Sequence, residues 1–381
     1  IKGVFFIKHI LRKKMPPLDY FLLADILFLV IFGLLMVYSA SNVVASYKYN
    51  DEFYYLKRQL FSCVIGLILM YVASVINIEK IYKYTSFIFL ASFILLVLVL
   101  IPGIGIVRGG ARSWIGIGSF SIQPAEFMKI AIILLLAKYL SKYNHELNKI
   151  KTFLMVLLVA FIIFGLIVLQ PDFGTGLVLL VSVITLIFMA GAPLKYFIAL
   201  LIIGIIGMGA LIISAPYRLE RITSFLNPWN DPLGSGFQGI QSLFAIAPSG
   251  IFGFGYNKSM QKHFFLPEPQ NDFIYAIITE EFGLFGGIVV LLAYVLLFIK
   301  AIKISARIDN SYMSYLAKGI GISIIIQVFI NICVVIGLLP ITGITMPIIS
   351  YGGSSLTITL IGLGLLLNIS RYQISLEGLK H

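Results

Sequence analysis

Residues 152–214 read TFLMVLLVAFIIFGLIVLQPDFGTGLVLLVSVITLIFMAGAPLKYFIALLIIGIIGMGALIIS, and this stretch decides the class of fold. Only Asp172 and Lys195 carry charge in it, and short breaks divide it into the apolar runs 152–169, 174–191 and 195–214. A helix of about 20 apolar residues, rising about 1.5 Å per residue, crosses the ~30 Å hydrocarbon core of a bilayer. The stretch therefore predicts three consecutive transmembrane helices.

The same pattern recurs along almost the whole chain of 381 residues. It produces ten apolar runs: 19–41, 59–77, 84–102, 124–141, 152–169, 174–191, 195–214, 273–299, 317–338 and 352–370. Charged residues make up 12% of the chain, about half their share in a soluble domain, which excludes a soluble globular protein. We predict an all-α polytopic membrane protein, a single domain over 1–381 with ten transmembrane helices.

The basic residues set the orientation of these helices in the membrane. The chain carries a net charge of +12, and with the N-terminus inside, the inner segments hold 18 Lys and Arg residues against 9 in the outer segments. Because cytoplasmic loops are enriched in positive charge, the N-terminal segment 1–18 and the tail 371–381 are both predicted to be cytoplasmic. No basic tract interleaved with aromatic residues lies outside an apolar run, so we expect no nucleic-acid partner.

Segment 215–272, between the seventh and eighth runs, is predicted to be a large extracellular loop. It holds six of the 14 prolines, an unusual concentration for a connector. Long ordered loops are commonly functional, so we expect structure here. Within the segment, 238–255 is apolar but too short to span a bilayer, and we expect it to be re-entrant or interfacial.

Charged side chains inside the apolar runs are functional candidates, because each costs at least a few kcal/mol in a membrane. Glu126 and Lys129 share one helix face, which fits a buried ion pair as well as a lysine that binds an anionic ligand. Glu280 and Glu281 point about 100° apart, so one of them is expected to face a cavity and the other the head-group region or a partner. Asp25 fits either a bond to a neighbouring helix or a functional group.

Cations gather where the predicted helices reach the outer face, at Arg112, Arg218, Arg221 and Lys262. Arg218 and Arg221 are three residues apart and could fork onto phosphate oxygens. The carboxylates Glu268 and Asp272 lie in the same outer segment. This combination predicts a site for an anionic, membrane-anchored substrate.

Asp272 lies in Leu266-Pro-Glu-Pro-Gln-Asn-Asp-Phe-Ile-Tyr275, directly before the eighth run. A carboxylate at the boundary of water and lipid is partly desolvated, which raises its pKa toward the range of a general base. An aspartate in this position is equally suited to cap the following helix. Position alone leaves both roles open, and one residue can fill both.

Residue types that commonly bind metals form no cluster in the sequence. Cys63 and Cys333 lie in apolar runs and are interpreted as packing residues, and the four histidines are scattered. We therefore predict no dedicated metal site and no certain cofactor. A divalent cation, Mg²⁺ or Mn²⁺, that shares the charge of a substrate stays open.

Four blocks of sequence add to this interpretation. They are Gly110-Ala-Arg-Ser-Trp-Ile115 with Gln123-Pro-Ala-Glu-Phe-Met-Lys129; Gln170-Pro-Asp-Phe-Gly-Thr175; Asp231-Pro-Leu-Gly-Ser-Gly236 with Leu266-Pro-Glu268 and Asp272-Phe-Ile274; and Gly337-Leu-Leu-Pro340 with Ser350-Tyr-Gly-Gly-Ser-Ser355, preceded by Asn331. In this order, from about Asp19 to Arg371, the chain resembles the SEDS family (shape, elongation, division and sporulation). Its loop sequences resemble those of the FtsW and SpoVE branches more than those of RodA. Gln270-Asn271 stands where the family commonly has His-Thr, so a catalytic histidine is not supported.

The resemblance implies a peptidoglycan glycosyltransferase in the bacterial cytoplasmic membrane that polymerises lipid II at the outer face. It implies a class B penicillin-binding protein as the transpeptidase partner, within a divisome or elongasome, and contact with membrane lipids. Asp272 is the implied catalytic carboxylate. Substrate contacts are expected from Arg112, Glu126, Lys129, Arg218, Arg221, Lys262, Glu268, Glu280 and Ser350.

Two functions of other classes are also compatible with these residues. A lipid II flippase would need an ionisable path through the bundle, which Glu126, Lys129, Glu280 and Asp25 could line, but it leaves the elaborate outer loop unexplained. A non-enzymatic scaffold that only activates the transpeptidase predicts that the charges inside the membrane tolerate neutral substitution.

Overall fold

The computed structural model describes residues 17–108, 110–117, 120–213, 225–234 and 236–377. These residues form eleven α-helices and one small sheet. The helices are α1 (Tyr20–Tyr49), α2 (Tyr54–Val75), α3 (Ile78–Leu98), α4 (Pro124–Tyr143), α5 (Ile150–Val168), α6 (Phe173–Met189), α7 (Leu194–Ile213), α8 (Phe237–Ile246), α9 (Ile274–Ala306), α10 (Ser311–Val335) and α11 (Gly353–Glu377).

Each of the ten apolar runs coincides with one helix, and the additional helix, α8, lies in the segment between the seventh and eighth runs. Among the described residues, seven helices are long and apolar enough to cross a membrane: α1, α2, α3, α5, α9, α10 and α11. Helix α6 and the part of α7 up to Ile206 are shorter but apolar, whereas α4 carries Glu126 and Lys129 in its first two turns. The chain is therefore a helical membrane protein.

Polar residues that accept hydrogen bonds from the first turn begin four of the helices. The Asp19 carboxylate accepts from the backbone N–H groups of Phe21 and Leu22 at 3.1 Å, which starts α1. Such caps satisfy N–H groups that have no partner within the helix. Side chains of the same kind start α3, α6 and α10, namely Asn77, Asp172 and Asn310.

Helices α10 and α11 lie at the centre of the bundle. In each of them, 72% of an apolar stretch of 18 residues is buried within the protein, compared with 22% of the corresponding stretch in α3. Helix α10 packs on α4, α6 and α9, and α11 packs along α2. A Cβ atom at Gly364 of α11 would lie 2.3 Å from the Met70 carbonyl oxygen of α2, so the two backbones are in direct contact, as small residues allow in membrane proteins.

Helix α9 is interrupted at Gly283, which has a φ of +66°. The segment 250–255 lies beside the break and replaces the missing helical hydrogen bonds. The N–H of Phe254 donates to the Glu280 carbonyl at 3.0 Å, and the N–H of Leu284 donates to the Gly250 carbonyl at 3.0 Å. The apolar part of the predicted loop thus continues from α8 into a turn segment that is hydrogen-bonded to α9.

The expectation of a purely helical chain is wrong between α3 and α4. Strands β1 (Gly105–Arg108), β2 (Ala111–Ile117) and β3 (Phe120–Ile122) form an antiparallel sheet in the order β1-β2-β3. The signal present in the sequence was Gly109-Gly110, a pair typical of tight hairpins. Strands this short were not recognised in the sequence because they lie between two long apolar runs.

Candidate functional site

Asp272 lies two residues before α9 and is half-buried. Its backbone carbonyl accepts a hydrogen bond of 2.7 Å from the Asn331 side-chain amide. Burial raises the pKa of the Asp272 carboxyl to about 7, with a smaller contribution from the negative charge of Glu268. A carboxyl with such a pKa exists in both protonation states near neutral pH and is suited to accept a proton.

Glu268 belongs to the same turn as Asp272 but is exposed to solvent. Its backbone has a φ of +45°, and its carboxylate accepts a hydrogen bond of 2.6 Å from the Asn271 side chain. The carbonyl of Gln270, in the same turn, accepts a 2.8 Å hydrogen bond from the N–H of Tyr351. These contacts hold the turn between α9 and the segment that leads into α11.

Glu126 and Lys129 form the buried ion pair that their spacing allows, with 2.9 Å between the Lys129 Nζ and the Glu126 Oε2. Lys129 also donates to the Gln327 side-chain oxygen of α10 at 2.7 Å. Glu126 is 4% exposed and Lys129 is 7% exposed. A cation and an anion are thus held together within the helices, and their attraction offsets part of the desolvation cost of burying them.

Helix α10 connects this ion pair to Asp272. Gln327 and Asn331 are four residues apart and therefore lie on the same helix face. Gln327 donates to the Thr345 carbonyl at 2.9 Å, and Asn331 donates to the Ile344 carbonyl at 2.7 Å. Both amides thus bind one extended segment, with Lys129 at one end of the arrangement and Asp272 at the other.

Asp172 adds a further carboxylate next to the ion pair. It caps α6 through the N–H of Thr175 at 3.1 Å and accepts a 2.7 Å hydrogen bond from the Gln123 side chain at the start of α4. Burial raises the pKa of Asp172, and the nearby charge of Glu126 raises it further. Asp172 therefore stabilises the turn before α6, and its bond to Gln123 places it beside the ion pair.

Glu280 and Glu281 are both buried, and each has partners within the protein, as Glu281 accepts from the Ser39 hydroxyl at 2.5 Å. The Glu280 carboxylate accepts hydrogen bonds from the Ser259 hydroxyl and from the N–H of Met260. Segment 257–262 is thereby attached to α9. These contacts use the hydrogen-bonding capacity of Glu280 within the protein and favour a structural role for it.

Lys262 belongs to the same buried cluster. Its Nζ lies 3.7 Å from the Glu281 Oε1 and donates to the carbonyl and side-chain oxygens of Asn257. Burial lowers the pKa of Lys262, and the charge of Glu281 opposes this change. Lys262 was predicted to bind substrate, but its contacts attach the loop to α9.

A cavity of about 550 Å³ lies beside this cluster, between the end of α1 and segment 257–264. Its lining includes Asn42, Glu52, Asn257, Lys262 and His263 but not Asp272 or Lys129. The cavity is therefore separate from the arrangement around α10.

The remaining predicted substrate residues lie in different places. The Ser350 hydroxyl accepts a 2.8 Å hydrogen bond from the N–H of Met346 and stabilises the turn before α11. Arg112 is half-buried on β2, and its side chain packs across Gly105, where a Cβ atom would lie 2.7 Å from the Arg112 Cγ. Arg218 and Arg221 lie outside the described residues.

Gln327 was missed as a candidate, and Asn331 was noted only as part of a motif. The signal for both was an amide in an otherwise apolar run, where an unpaired polar group is costly. Gln327 is 4% exposed and Asn331 is 1% exposed, and both use their amide N–H groups within the site. In the described part of the chain, no three His, Cys, Asp or Glu side chains are grouped so that they could hold a metal ion.

Comparison with known proteins shows to which family the chain belongs. The FtsW/RodA/SpoVE family model, described as "Cell cycle protein", matches residues 20–375. The chain belongs to this family. It is 50% identical over 362 residues to stage V sporulation protein E of Bacillus subtilis, covering 95% of this chain and 99% of that protein. It is 43% identical to a probable peptidoglycan glycosyltransferase FtsW of Coxiella burnetii, covering 92% of this chain and 96% of the relative.

Solved structures of family members share the fold. A chain from a peptidoglycan synthase complex is 30% identical with a TM-score of 0.76, and the match covers 93% of this chain and 98% of that one. RodA of Thermus thermophilus is 26% identical with a TM-score of 0.67, covering 93% and 97% of the two chains. The resemblance deduced from the sequence blocks is thus confirmed.

Proposed function

We propose that the chain is a peptidoglycan glycosyltransferase that polymerises lipid II into β-1,4-linked glycan strands. The observation that carries this proposal is that Asp272, whose carboxyl has a pKa of about 7, is joined by its backbone through α10 to the buried cation Lys129. Glycosyl transfer to an alcohol needs a base for the attacking hydroxyl and positive charge for the leaving group. The relative of Coxiella burnetii, named as a probable peptidoglycan glycosyltransferase, supports the choice of reaction.

In the proposed reaction, Asp272 takes the proton from the 4-hydroxyl of the acceptor GlcNAc. The oxygen attacks C1 of the donor MurNAc while the bond from C1 to the pyrophosphate oxygen breaks. The bonding electrons leave with undecaprenyl pyrophosphate, and configuration at C1 inverts. The proton on Asp272 then passes to solvent.

The negative charge on the leaving pyrophosphate requires nearby cations. We assign this role first to Arg112 and Lys129, and next to Arg218 and Arg221. The contacts of Lys262 with Asn257 and Glu281 make it a weaker candidate. Mg²⁺ or Mn²⁺ bound with the substrate would add positive charge at the same place.

We further propose ten spans, with both termini cytoplasmic and the segment around 215–272 extracellular. Contacts between helix ends support an alternating path. The ion pair of Asp19 and Lys300, at 3.0 Å, joins the start of α1 to the last turns of α9. Asn144, after α4, contacts the Tyr315 hydroxyl near the start of α10 at 3.2 Å. Each pair lies on the side that the positive charges predict to be cytoplasmic.

We propose a class B penicillin-binding protein as the partner, in the bacterial cytoplasmic membrane and within a divisome or elongasome. The similarity to a chain of a solved peptidoglycan synthase complex supports an assembly of this kind. In such an assembly the glycan strand would leave the glycosyltransferase on the side where the partner's transpeptidase domain works.

Gel analysis of glycan products from purified lipid II tests the proposal, with the protein alone and with its partner. We expect long strands from the wild type and none from Asp272→Asn. Asp309→Asn is the control, because it neutralises an exposed carboxylate between α9 and α10, at the opposite end of α9 from this turn. Full polymerisation by Asp272→Asn would refute its role as base. A folded wild-type complex that forms no strands but moves lipid II across a bilayer would instead establish the flippase.

A further inference from the structure

The side-chain amide of Asn331 links the turn that carries Asp272 to the segment before α11. Asn331 is 1% exposed, and its single amide nitrogen donates to the carbonyls of Asp272 and Ile344, both at 2.7 Å. The two carbonyls belong to different segments, one before α9 and one before α11. Asn331 therefore joins three parts of the chain that are distant in sequence.

The position of this amide is set by a regular helix. Asn331 lies in the last turns of α10, the helix that packs on α4, α6 and α9 at the centre of the bundle. Donors placed on a rigid, buried helix define position more accurately than donors on a loop. The turn that carries Asp272 is irregular, so its backbone depends on such an external contact.

The amide oxygen of Asn331 is buried and has no hydrogen-bond partner among the described residues. An unpaired buried acceptor costs stability, and several other buried side-chain oxygens of the described residues share this property. The contacts of the amide nitrogen, which hold the backbone of Asp272, are therefore the observation that favours a function beyond packing.

We propose that Asn331 is a positioning residue for the reaction, which holds the backbone of Asp272 so that its carboxylate meets the attacking hydroxyl. The inference rests on the proposed function of Asp272. Gln327 completes the arrangement one turn earlier, because it holds Thr345 and Lys129 at the other end of the same segment. The distance between the base and the cation is thus set by two amides on one helix face.

Reaction rates are sensitive to such positioning. A displacement of about 1 Å in a reacting group costs up to ~100-fold in rate. Because Asn331 acts through Asp272 and not on the substrate, loss of its contact would affect the transition state more than the binding of the substrate. The expected signature is therefore a lower kcat with an almost unchanged KM.

The chain contains a matched control for the loss of a buried amide. Asn368 of α11 is 4% exposed, and its nitrogen also donates to two carbonyls, those of Ala73 at 2.8 Å and Ile76 at 2.7 Å. Those carbonyls belong to the C-terminal end of α2 and to the residue that follows it. Substitution of Asn368 removes two hydrogen bonds of the same kind and leaves the Asp272 turn unchanged.

The experiment compares Asn331→Leu, Asn331→Ser and Asn368→Leu in the purified complex with its partner, using lipid II as substrate. We expect Asn331→Leu to lower kcat by at least about tenfold at constant KM. Asn331→Ser, which keeps one donor, should lie between Asn331→Leu and the wild type. Asn368→Leu should keep kcat within about twofold of the wild type. It should lower the unfolding temperature about as much as Asn331→Leu does.

Two results would overturn the inference. One is a wild-type kcat for Asn331→Leu, and the other is an equal loss of kcat in the Asn331 and Asn368 variants at equal loss of stability. If Asn331→Leu does not fold, the comparison of Asn331→Ser with Asn368→Leu decides in the same way. Asp272→Asn is measured in parallel: if it is fully active, the proposed base is wrong, whereas an inactive Asp272→Asn beside a normal Asn331→Leu refutes the positioning role alone.

Discussion

The N–H of Tyr351 donates a 2.8 Å hydrogen bond to the carbonyl of Gln270. This contact joins the Ser350–Ser355 block to the turn that carries Glu268 and Asp272. Asn331, from a third part of the chain, donates to the Asp272 carbonyl of the same turn. Sequence blocks that are far apart along the chain thus build one site.

Ionisation of Asp272 should control the pH dependence of polymerisation. Only the carboxylate accepts a proton, so the rate should rise with pH and reach half its maximum near pH 7. Glu268→Gln removes a negative charge that raises this pKa, so its profile should shift to lower pH. Initial rates between about pH 5.5 and 8.5 at constant ionic strength provide the measurement.

The same pKa predicts a stability effect of known sign. The folded state holds a proton on Asp272 up to about pH 7, whereas the ordinary value is 3.8. The folded state therefore binds more protons between these values, and its stability contribution falls as the pH rises through this window. Asp272→Asn should remove this part of the slope in thermal unfolding curves. An unchanged slope would contradict the pKa assigned to Asp272.

Single neutral substitutions of the Glu126–Lys129 pair should destabilise the protein more than the double substitution does. Lys129→Met leaves a buried carboxylate without its partner, at a cost of about 3–5 kcal/mol. Glu126→Gln with Lys129→Met removes both charges, so the unfolding temperature should largely recover. Polymerisation should not recover, because the cation is still absent. Recovery of both properties would mean that the pair is only structural.

Lys262→Met tests the assignment of Lys262 to loop attachment. Its contacts with Asn257 and Glu281 should make the variant less stable by about 1–3 kcal/mol. The KM for lipid II should stay within about twofold of the wild type. A much higher KM at unchanged stability would instead place Lys262 on the pyrophosphate.

The break in α9 should not tolerate a side chain at Gly283. A Cβ atom there would lie 2.3 Å from the Ile251 carbonyl oxygen, and the φ of +66° is unfavourable for alanine. We expect Gly283→Ala to cost about 1–3 kcal/mol and to loosen segment 250–255. Gly204→Ala on α7 is the control, since no atom lies within 4 Å of its Cβ position. Equal stability of the two variants would mean that the break is not fixed by Gly283.

Local pattern was sufficient for the helices and insufficient for the sheet. Each apolar run produced a helix because a membrane requires every backbone group to be bonded within its own segment. Strands β1 to β3 depend on pairing between segments, which the hydropathy of 105–122 does not encode. The short α8 and the break at Gly283 were missed for a similar reason, since segment 250–255 supplies the hydrogen bonds that α9 lacks.

By itself, the sequence determined the helical membrane class and the family, and it singled out Asp272 as the candidate base, because these follow from hydropathy and from ordered blocks of residues. Only the tertiary structure decided which polar residues share a site. It joined Lys129 to Asp272 through Gln327 and Asn331, and it placed Glu280 and Lys262 in a separate cluster. The physical reason is that the rotation of each helix, and hence the partner of each polar side chain, is set by packing against neighbouring helices.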